Sequence, residues 1–382
     1  MTTVTAAVPP EAELARHQGE LRTYLRTVDD GPVSAPPAPR RHLSAATAED
    51  RTVALGSLAA GAAAAWVICF RLLPWGNPLA YAVTGFVLFL AILTVATSIT
   101  ASGPAVTDRL VGAVITGGAA VVGLALVSTV AYTFIRAAPA LPHINMYVQD
   151  MAAVGPRDAL SVGGVAHALL GSVMQIAIAV VVTVPLALGT AVFMTEVGGS
   201  FARVVRTVVE AMTALPSVVA GLFVYSVLIV TLGFPRSGIA AAMALSVMML
   251  PIIARAADVV LRVVPSGLRE ASLALGASRW RTVWHVVLPT ARPGLATALI
   301  LGIARGVGET SPVLLTSGAA PFFVLSPFTG VMNSLPLFIY STVRSGEPLY
   351  VERGFAAAAI LLTGVLVLFV AARLLARQRS GR

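Results

Sequence analysis

Residues 263–294 read VVPSGLREASLALGASRWRTVWHVVLPTARPG and separate two long apolar runs of the chain. Ser266 is placed to cap a short helix, and Gly276 is placed to end it. A second amphipathic piece over residues 280–288 then leads into Pro289. On these residues alone two interpretations stand equally: a hairpin that lies on the membrane surface, or a loop that contacts a partner protein.

Apolar runs of about 20 or more residues recur outward from this loop, the length that crosses a hydrocarbon core of about 30 Å. Of the 382 residues, 57% are hydrophobic and 11% are charged, against about 45–50% and about 25% in soluble domains. We therefore predict an all-α polytopic membrane protein with about eight transmembrane helices rather than a soluble enzyme. The predicted spans are residues 52–73, 79–100, 111–136, 165–195, 208–232, 238–261, 292–316 and 353–374.

Residues 1–51 form the only long polar stretch and lack the apolar core of a secretory signal. Leucines at helical spacing among charged residues predict a short amphipathic helix near residues 11–26, and residues 31–40 predict a proline-rich linker. A disordered tail and a docking segment remain alternatives for this region.

All 26 basic residues are arginine, and their placement predicts the orientation, because cytoplasmic flanks collect positive charge. With the N-terminus inside, the inner segments carry 18 arginines and the outer segments carry six. Both termini are therefore predicted to lie in the cytoplasm.

The absence of lysine excludes several kinds of chemistry. A P-loop ATPase needs a lysine on the nucleotide phosphates, and Schiff-base catalysis needs an amine. The five histidines show no metal-binding spacing, and the single cysteine, Cys69, is expected only to pack in an apolar helix. We predict no catalytic residue, no metal site and no nucleic-acid partner.

The order of residues in the loop resembles the EAA loop of permease subunits from binding-protein-dependent ABC importers. Ser272 replaces the usual second alanine of that motif, and Val286 replaces the usual isoleucine. In that family the loop forms a coupling helix that docks on the ATPase subunit. The resemblance implies that contact with the ATPase and re-entry into the membrane depend on Glu270, Ala271, Gly276, Leu288 and Pro289.

Two further segments resemble the A-type permease subunits of phosphate-specific ABC importers. They are residues 215–225, LPSVVAGLFVY, and residues 305–312, RGVGETSP, within a similarity that runs with gaps over residues 111–375. The resemblance implies a six-helix type I importer permease over residues 111–382, with a coupling loop at about 262–292. Residues 52–110 would then form two additional transmembrane helices.

The same resemblance implies an assembly in a bacterial cell membrane. The expected partners are a C-type permease that forms a heterodimer with this chain, an ATPase dimer that carries ATP-Mg, membrane lipid, and an extracytoplasmic phosphate-binding protein. The outer segments 137–164 and 317–352 are long enough to dock that binding protein. No cofactor is expected on this chain itself.

Arg305 stands out without reference to any family. It lies thirteen residues after Arg292, which places it roughly 20 Å into a helix, near mid-membrane. A central arginine costs about 2.5–3.5 kcal/mol, so it should face a partner or an aqueous path. Glu309 lies one turn further on the same face, and the pair is either a self-neutralising ion pair or a phosphate site whose planar guanidinium binds the oxyanion.

Three hydroxyl residues complete the predicted substrate pathway: Ser217, Thr310 and Ser311. The hydroxyls of Thr310 and Ser311 either face the path or bond back to their own helix. Pro216 and Ser217 either break the fifth span and line the path or only kink the helix. Gly302 and Gly306 predict close approach of another helix, from this chain or from a second subunit.

Two other functions remain open at this point. One is an importer for another oxyanion, such as molybdate, sulfate or phosphonate. The other is an ATP-independent transporter or channel, which inverted repeats would favour.

Overall fold

The computed structural model describes Gly19 and residues 48–73 and 76–377. Every regular element in these ranges is a helix. The chain divides into two compact units, Met1–Val122 and Gly123–Arg382, and this division lies twelve residues beyond the predicted boundary between residues 110 and 111. The prediction for residues 1–51 falls almost entirely outside the described residues and stays a prediction.

The first unit contains a close helical hairpin. Helix α1, Ala48–Val67, continues as a π-helical turn, Ile68–Leu72, and helix α2 is Pro78–Thr100. Gly61 lets the two helices touch, since a Cβ there would lie 2.7 Å from the backbone nitrogen of Phe89. Helix α3, Gly103–Ala137, begins in this unit and ends in the second.

The second unit carries the remaining helices. They are α4, Asn145–Val148; α5, Ala166–Val192, with a π-helical end Phe193–Val197; α6, Gly199–Thr213; α7, Ser217–Val224, with a π-helical end Tyr225–Thr231; α8, Gly238–Val263; α9, Ser266–Ala274; α10, Arg279–Thr282; α11, Leu288–Val307; α12, Ser311–Thr316; α13, Leu335–Arg344; and α14, Pro348–Arg377. The π-helical turn Val283–Val287 joins α10 to α11.

Seven helices among the described residues are long and apolar enough to cross a membrane, or eight if one bent pair is a single span. The prediction of about eight spans in an all-helical fold is therefore confirmed. The predicted span 208–232 is not one straight helix, because α6 and α7 are bent by 106° with respect to each other, which fits the break considered at Pro216. Pro216 has extended backbone at this bend and has no N–H group with which to continue the helix.

Helix α8 occupies the centre of the second unit and is buried along most of its length. Alanines at positions 240, 241, 242 and 244 are fully buried, which lets α5 and other helices pack closely around it. The predicted close approach at Gly302 and Gly306 is confirmed, and the neighbour is α8 of the same chain. A Cβ at Gly302 would lie 2.2 Å from Cγ1 of Ile253, and one at Gly306 would lie 2.5 Å from Sδ of Met249.

Candidate functional site

The seventh predicted span, 292–316, is interrupted in the structure. Helix α11 ends at Val307, residues 308–310 are not helical, and α12 starts at Ser311 with Pro312 in its first turn. The bent pair meets this break: a Cβ at Gly221 of α7 would lie only 2.6 Å from Cα of Pro312. The break is thus held from the side by a backbone contact that only glycine permits.

Arg305 and Glu309 stand on either side of the end of α11. Nη2 of Arg305 lies 3.7 Å from Oε1 of Glu309, which is an ion pair without a close hydrogen bond. Gly306 packs beside Met249, the twelfth of the 26 residues of α8, so the pair lies near the middle of a membrane-spanning helix. The helix-rise estimate counted from Arg292, whereas the continuous helix begins at Arg279 and ends at Val307, so Arg305 lies near its end and level with the middle of α8.

The two side chains have different surroundings. The Arg305 side chain is 59% exposed, whereas the Glu309 side chain is 15% exposed. Glu309 lines a small cavity of about 10 Å³ together with Ser172, Gln175 and Ser334. An exposed cation therefore sits beside a carboxylate that points toward a buried polar cluster.

Gln175 is the centre of this polar cluster, and sequence reasoning missed it. Its Nε2 donates to Oγ of Ser317 and to the carbonyl oxygens of Met332 and Asn333, each at 3.4 Å. Its Oε1 is buried and makes no hydrogen bond among the described residues. A lone glutamine in an apolar run was the available signal, because a buried amide in a membrane span must find partners.

The predicted hydroxyl residues are each half-buried near the break or the bend. Thr310 precedes α12 and Ser311 begins it, while Ser217 begins α7 one turn before Gly221. Within the described ranges neither the Thr310 hydroxyl nor the Ser311 hydroxyl bonds back to its own helix, the alternative considered for these two residues. Their role in a substrate pathway stays a prediction.

Helix α11 leaves one face uncovered within the described part of the chain. This exposed stripe contains Thr290, Pro293, Thr297, Leu301 and Arg305, spaced three or four residues apart along the helix. Both threonine hydroxyls bond to carbonyls of the preceding turn, at Val286 and Pro293. The stripe leads from the loop end of α11 to the exposed guanidinium.

The loop before α10 presents the residues of the predicted coupling motif to solvent. Glu270 and Ala271 are exposed on α9, and Gly276 ends the segment with a left-handed φ of +82°. Ser266 does not cap α9, since Pro265 takes the capping position and no side-chain bond forms there. Gly276 therefore acts as predicted from the sequence, and Ser266 does not.

The second half of the predicted loop belongs to a spanning helix. Residues 279–307 run without a break through α10, the π-helical turn and α11, so Leu288 and Pro289 lie within the helix, half-buried. Pro289 lies where the π-helical turn Val283–Val287 passes into α11. The exposed loop is thus shorter than the predicted 262–292, and the role of Leu288 and Pro289 in re-entry stays a prediction.

Apolar side chains surround the exposed motif. Leu275 is 90% exposed, and Trp280 and Trp284 are also exposed and contact each other edge-to-face at 5.6 Å. Ser272 Oγ and Thr282 Oγ1 are 2.9 Å apart, which ties α9 to α10. The serine that departs from the family motif therefore makes a bond that alanine cannot make.

Two ion-pair junctions lie behind this loop, and sequence reasoning missed both. Arg269 of α9 pairs with Glu196 at the end of α5, at 3.1 Å. Arg206 of α6 pairs with Asp258 of α8, at 3.2 Å. Asp258 is recognisable in the sequence as an acid inside an apolar run. The arginines enter the prediction only as indicators of the cytoplasmic side of the membrane.

The outer segment 137–164 is fastened to the start of α14. Arg157 bonds Glu347 at 3.2 Å, and this hydrogen bond, with the attraction of the carboxylate, raises the pKa of Arg157. Arg353, which is fully buried, donates from Nη2 to the carbonyl oxygens of Asp158, Ala159 and Val162. The predicted outer segment is therefore an ordered cap and not a loose loop.

Comparison with known proteins places this geometry in context. Residues 167–381 match the family described as binding-protein-dependent transport system inner membrane component. A phosphate transport system permease protein PstA 1 of Mycobacterium tuberculosis H37Rv is 44% identical over 214 residues, covering 56% of this chain and 70% of the relative. The phosphate transport system permease protein PstA of Mycobacterium leprae is 39% identical over 244 residues, covering 63% and 80%.

More distant relatives carry the same description. The phosphate transport system permease protein PstA of Haemophilus influenzae is 30% identical over 263 residues, covering 68% of this chain and 90% of the relative. Among solved structures, an inward-facing MetNI methionine ABC transporter matches with a TM-score of 0.45 and 23% identity, covering 56% of this chain and 94% of that one.

Proposed function

The chain belongs to the family of inner membrane components of binding-protein-dependent transport systems, and we infer from this that it is the permease subunit of an ATP-driven phosphate importer. It is a multi-pass membrane protein. The three relatives described above are named phosphate transport system permease proteins, at 30–44% identity.

The observation that carries the phosphate assignment in this chain is the exposed guanidinium of Arg305. A cation at the middle of a spanning helix does not face hydrocarbon without a cost of about 2.5–3.5 kcal/mol. Since its side chain is 59% exposed, that face borders an aqueous path or a partner subunit. A guanidinium donates two parallel hydrogen bonds to an oxyanion, which fits a tetrahedral phosphate.

Glu309 limits how tightly the anion is held. Its carboxylate lies 3.7 Å from the guanidinium, so it competes with phosphate for the same donors and keeps the arginine oriented. Transport requires such moderation, because a site that binds too tightly does not release its substrate. Ser217, Thr310 and Ser311 offer hydroxyl donors along the same path, and their free hydroxyls support this role.

The partners follow from the chemistry that this chain lacks. With no lysine in the sequence, it cannot supply the phosphate-binding lysine of a P-loop, so a separate ATPase dimer binds ATP-Mg and hydrolyses it. The exposed motif around Glu270, Ala271 and Gly276 is the surface on which that ATPase docks, with its apolar rim at Leu275 and Trp280.

The remaining partners complete a transporter that works by alternating access. A C-type permease covers the exposed stripe of α11, and an extracytoplasmic phosphate-binding protein delivers the anion to the ordered outer cap. Closure of the ATPase dimer moves the loop, and the path beside Arg305 changes the side to which it opens. Both termini lie in the cytoplasm of a bacterial cell in this arrangement, and this chain binds no cofactor.

Arg305→Lys tests the assignment. Lysine keeps the charge but loses the forked donors, so we expect phosphate uptake at limiting concentration to fall at least about tenfold, because a lost charge-assisted hydrogen bond costs about 1.5–3 kcal/mol. Uptake of labelled phosphate by cells that express the full importer measures this. Arg373→Lys, at an exposed position near the end of α14, is the matched control and should leave uptake unchanged.

Two results would contradict the proposal. Normal uptake by Arg305→Lys would remove Arg305 from the anion path. Inhibition of uptake by molybdate, sulfate or a phosphonate as strongly as by unlabelled phosphate would favour an importer for another oxyanion.

A further inference from the structure

Arg269 joins three helices on the inner side of the exposed loop. Its Nη2 donates to the carbonyl oxygen of Leu261 at 2.7 Å, and its Nη1 donates to that of Val264 at 3.1 Å. Its Nε donates to Oε1 of Glu196 at 3.2 Å. A single guanidinium thus satisfies the last carbonyls of α8 and holds the end of α5 to α9, the helix that bears Glu270.

The pair is shielded from water, so its charges are only partly screened. The side chains of Arg269 and Glu196 are 23% and 16% exposed. Charge-assisted hydrogen bonds in such surroundings are about twice as strong as neutral ones. Removing one partner leaves the other half-buried and unpaired, so the two side chains are expected to act as one unit.

The ion pair of Arg206 and Asp258 is connected to the same end of α5. Arg206 of α6 binds both carboxylate oxygens of Asp258 with its Nε and Nη2, and it also donates to the carbonyl oxygen of Met194. Asp258 is 9% exposed. Between the end of α5 and the start of α6, Gly198 and Gly199 have φ values of +67° and +83°, a turn that residues with a Cβ rarely adopt.

These contacts form a continuous route through the second unit. It starts at α9 and passes through Arg269 and Glu196 to the glycine turn. It then follows α6 to the 106° bend and α7, where Gly221 packs on Pro312 next to the break that carries Glu309. The route consists of one hydrogen-bonded ion pair, the continuous chain over residues 196–221 and the packed contact of Gly221 with Pro312, and energetic coupling travels through such connected contacts and rigid elements.

We propose that Arg269 and Glu196 are positioning residues that transmit the displacement of α9 to the bent pair α6–α7, and so to the anion path at the helix break. This inference rests on the proposed importer function. Neither residue belongs to the surface of α9 that faces the ATPase, and neither contacts the transported anion. Their effect is on coupling, which is the amount of phosphate moved for each ATP hydrolysed.

The test is a double-mutant cycle in the assembled importer, reconstituted in liposomes with its ATPase, second permease and binding protein. Glu196→Gln and Arg269→Gln are each expected to keep phosphate-stimulated ATP hydrolysis within about twofold while phosphate moved per ATP falls about tenfold. Because the pair acts as one unit, the double variant should fall no further than the more impaired single variant.

Arg262→Gln is the matched control. Arg262 pairs with Asp258 four residues earlier on the same helix, so this ion pair joins no two elements. The ratio of phosphate to ATP should therefore stay at the wild-type value. The amount of ATPase that co-purifies with each variant shows whether the loop still docks.

The outcomes separate the two hypotheses. If the wild-type assembly moves no phosphate on ATP hydrolysis, the importer function fails. If the wild-type assembly is coupled and Glu196→Gln keeps its phosphate-to-ATP ratio, or if the two single losses multiply in the double variant, the positioning role is overturned while the importer function stands.

Discussion

At the scale of single residues, Arg305 and Glu309 show which contacts can be predicted from spacing along one helix. Their spacing of four residues predicts an ion pair, and the structure brings the two side chains to 3.7 Å. The same spacing says nothing of Gln175, which comes to the Glu309 cavity from another helix. Residues that meet along one helix are visible in sequence, whereas residues that meet through folding are not.

Gly302 offers the sharpest prediction about packing at this scale. We expect Gly302→Ala to lower the stability of the protein by about 1–3 kcal/mol, because the new Cβ would lie 2.2 Å from Cγ1 of Ile253. Thermal unfolding in detergent measures the loss. Gly189→Ala, also in a helix but with open space at the Cβ position, should not be destabilising.

Ile253→Ala provides the second half of this experiment. Shortening Ile253 makes room for the added methyl, so the double variant should be less destabilised than the sum of the two single variants. Strict additivity would show that the two side chains do not meet in the folded protein.

At the scale of elements, the short exposed loop depends on how α9 ends. Gly276 adopts a φ of +82° there, a conformation that costs an L-residue about 1 kcal/mol. Its Cβ position is open space, so the cost of a substitution is conformational and not steric. The shape of the loop depends on the backbone conformation of Gly276, so this glycine is recognisable in the sequence.

Gly276→Ala is expected to reduce phosphate-stimulated ATP hydrolysis and co-purification of the ATPase, since the altered turn would move α9 relative to α10. Gly267→Ala, two turns earlier in α9, is the control. Its Cβ also meets open space, and alanine favours the helix by about 1 kcal/mol over glycine, so binding should be kept. Equal loss in both variants would mean that any added side chain disturbs the docking surface.

The helices themselves were predictable where apolar runs are long and uninterrupted. The run over residues 238–261 corresponds closely to α8, Gly238–Val263. The run over residues 208–232 does not correspond to one helix. Hydropathy gives no information on the direction of a helix, and the chain turns through 106° at Pro216 while it stays apolar on both sides. The sequence also predicts a separate amphipathic piece over residues 280–288. In the structure the π-helical turn Val283–Val287 instead joins α10 to α11.

At the scale of the whole molecule, the arginine distribution predicts orientation, and a single buried cysteine makes that prediction testable. Cys69 is 1% exposed, so cysteines introduced elsewhere can be labelled in the natural background. Ser102, Ser266 and Ser326 are exposed and lie between spanning segments.

We expect Ser326→Cys to react with a membrane-impermeant maleimide in intact cells. Ser102→Cys and Ser266→Cys should react only after the membrane is opened, because both are predicted to lie on the arginine-rich side. Labelling of Ser102→Cys in intact cells, with Ser266→Cys still protected, would contradict the predicted topology of the first two helices.

The glycine seam between α8 and α11 determines what kind of movement is available to the importer. Gly294 faces Val260, Gly302 faces Ile253 and Gly306 faces Met249, so the two helices interlock at three levels and cannot slide past each other. We therefore expect the two helices and the loop between them to move together as one rigid body. In the proposed importer, a displacement of the loop reaches Arg305, roughly 40 Å away along the helix that begins at Arg279, by tilting this interlocked pair as one body, alongside the route through Arg269 and Glu196.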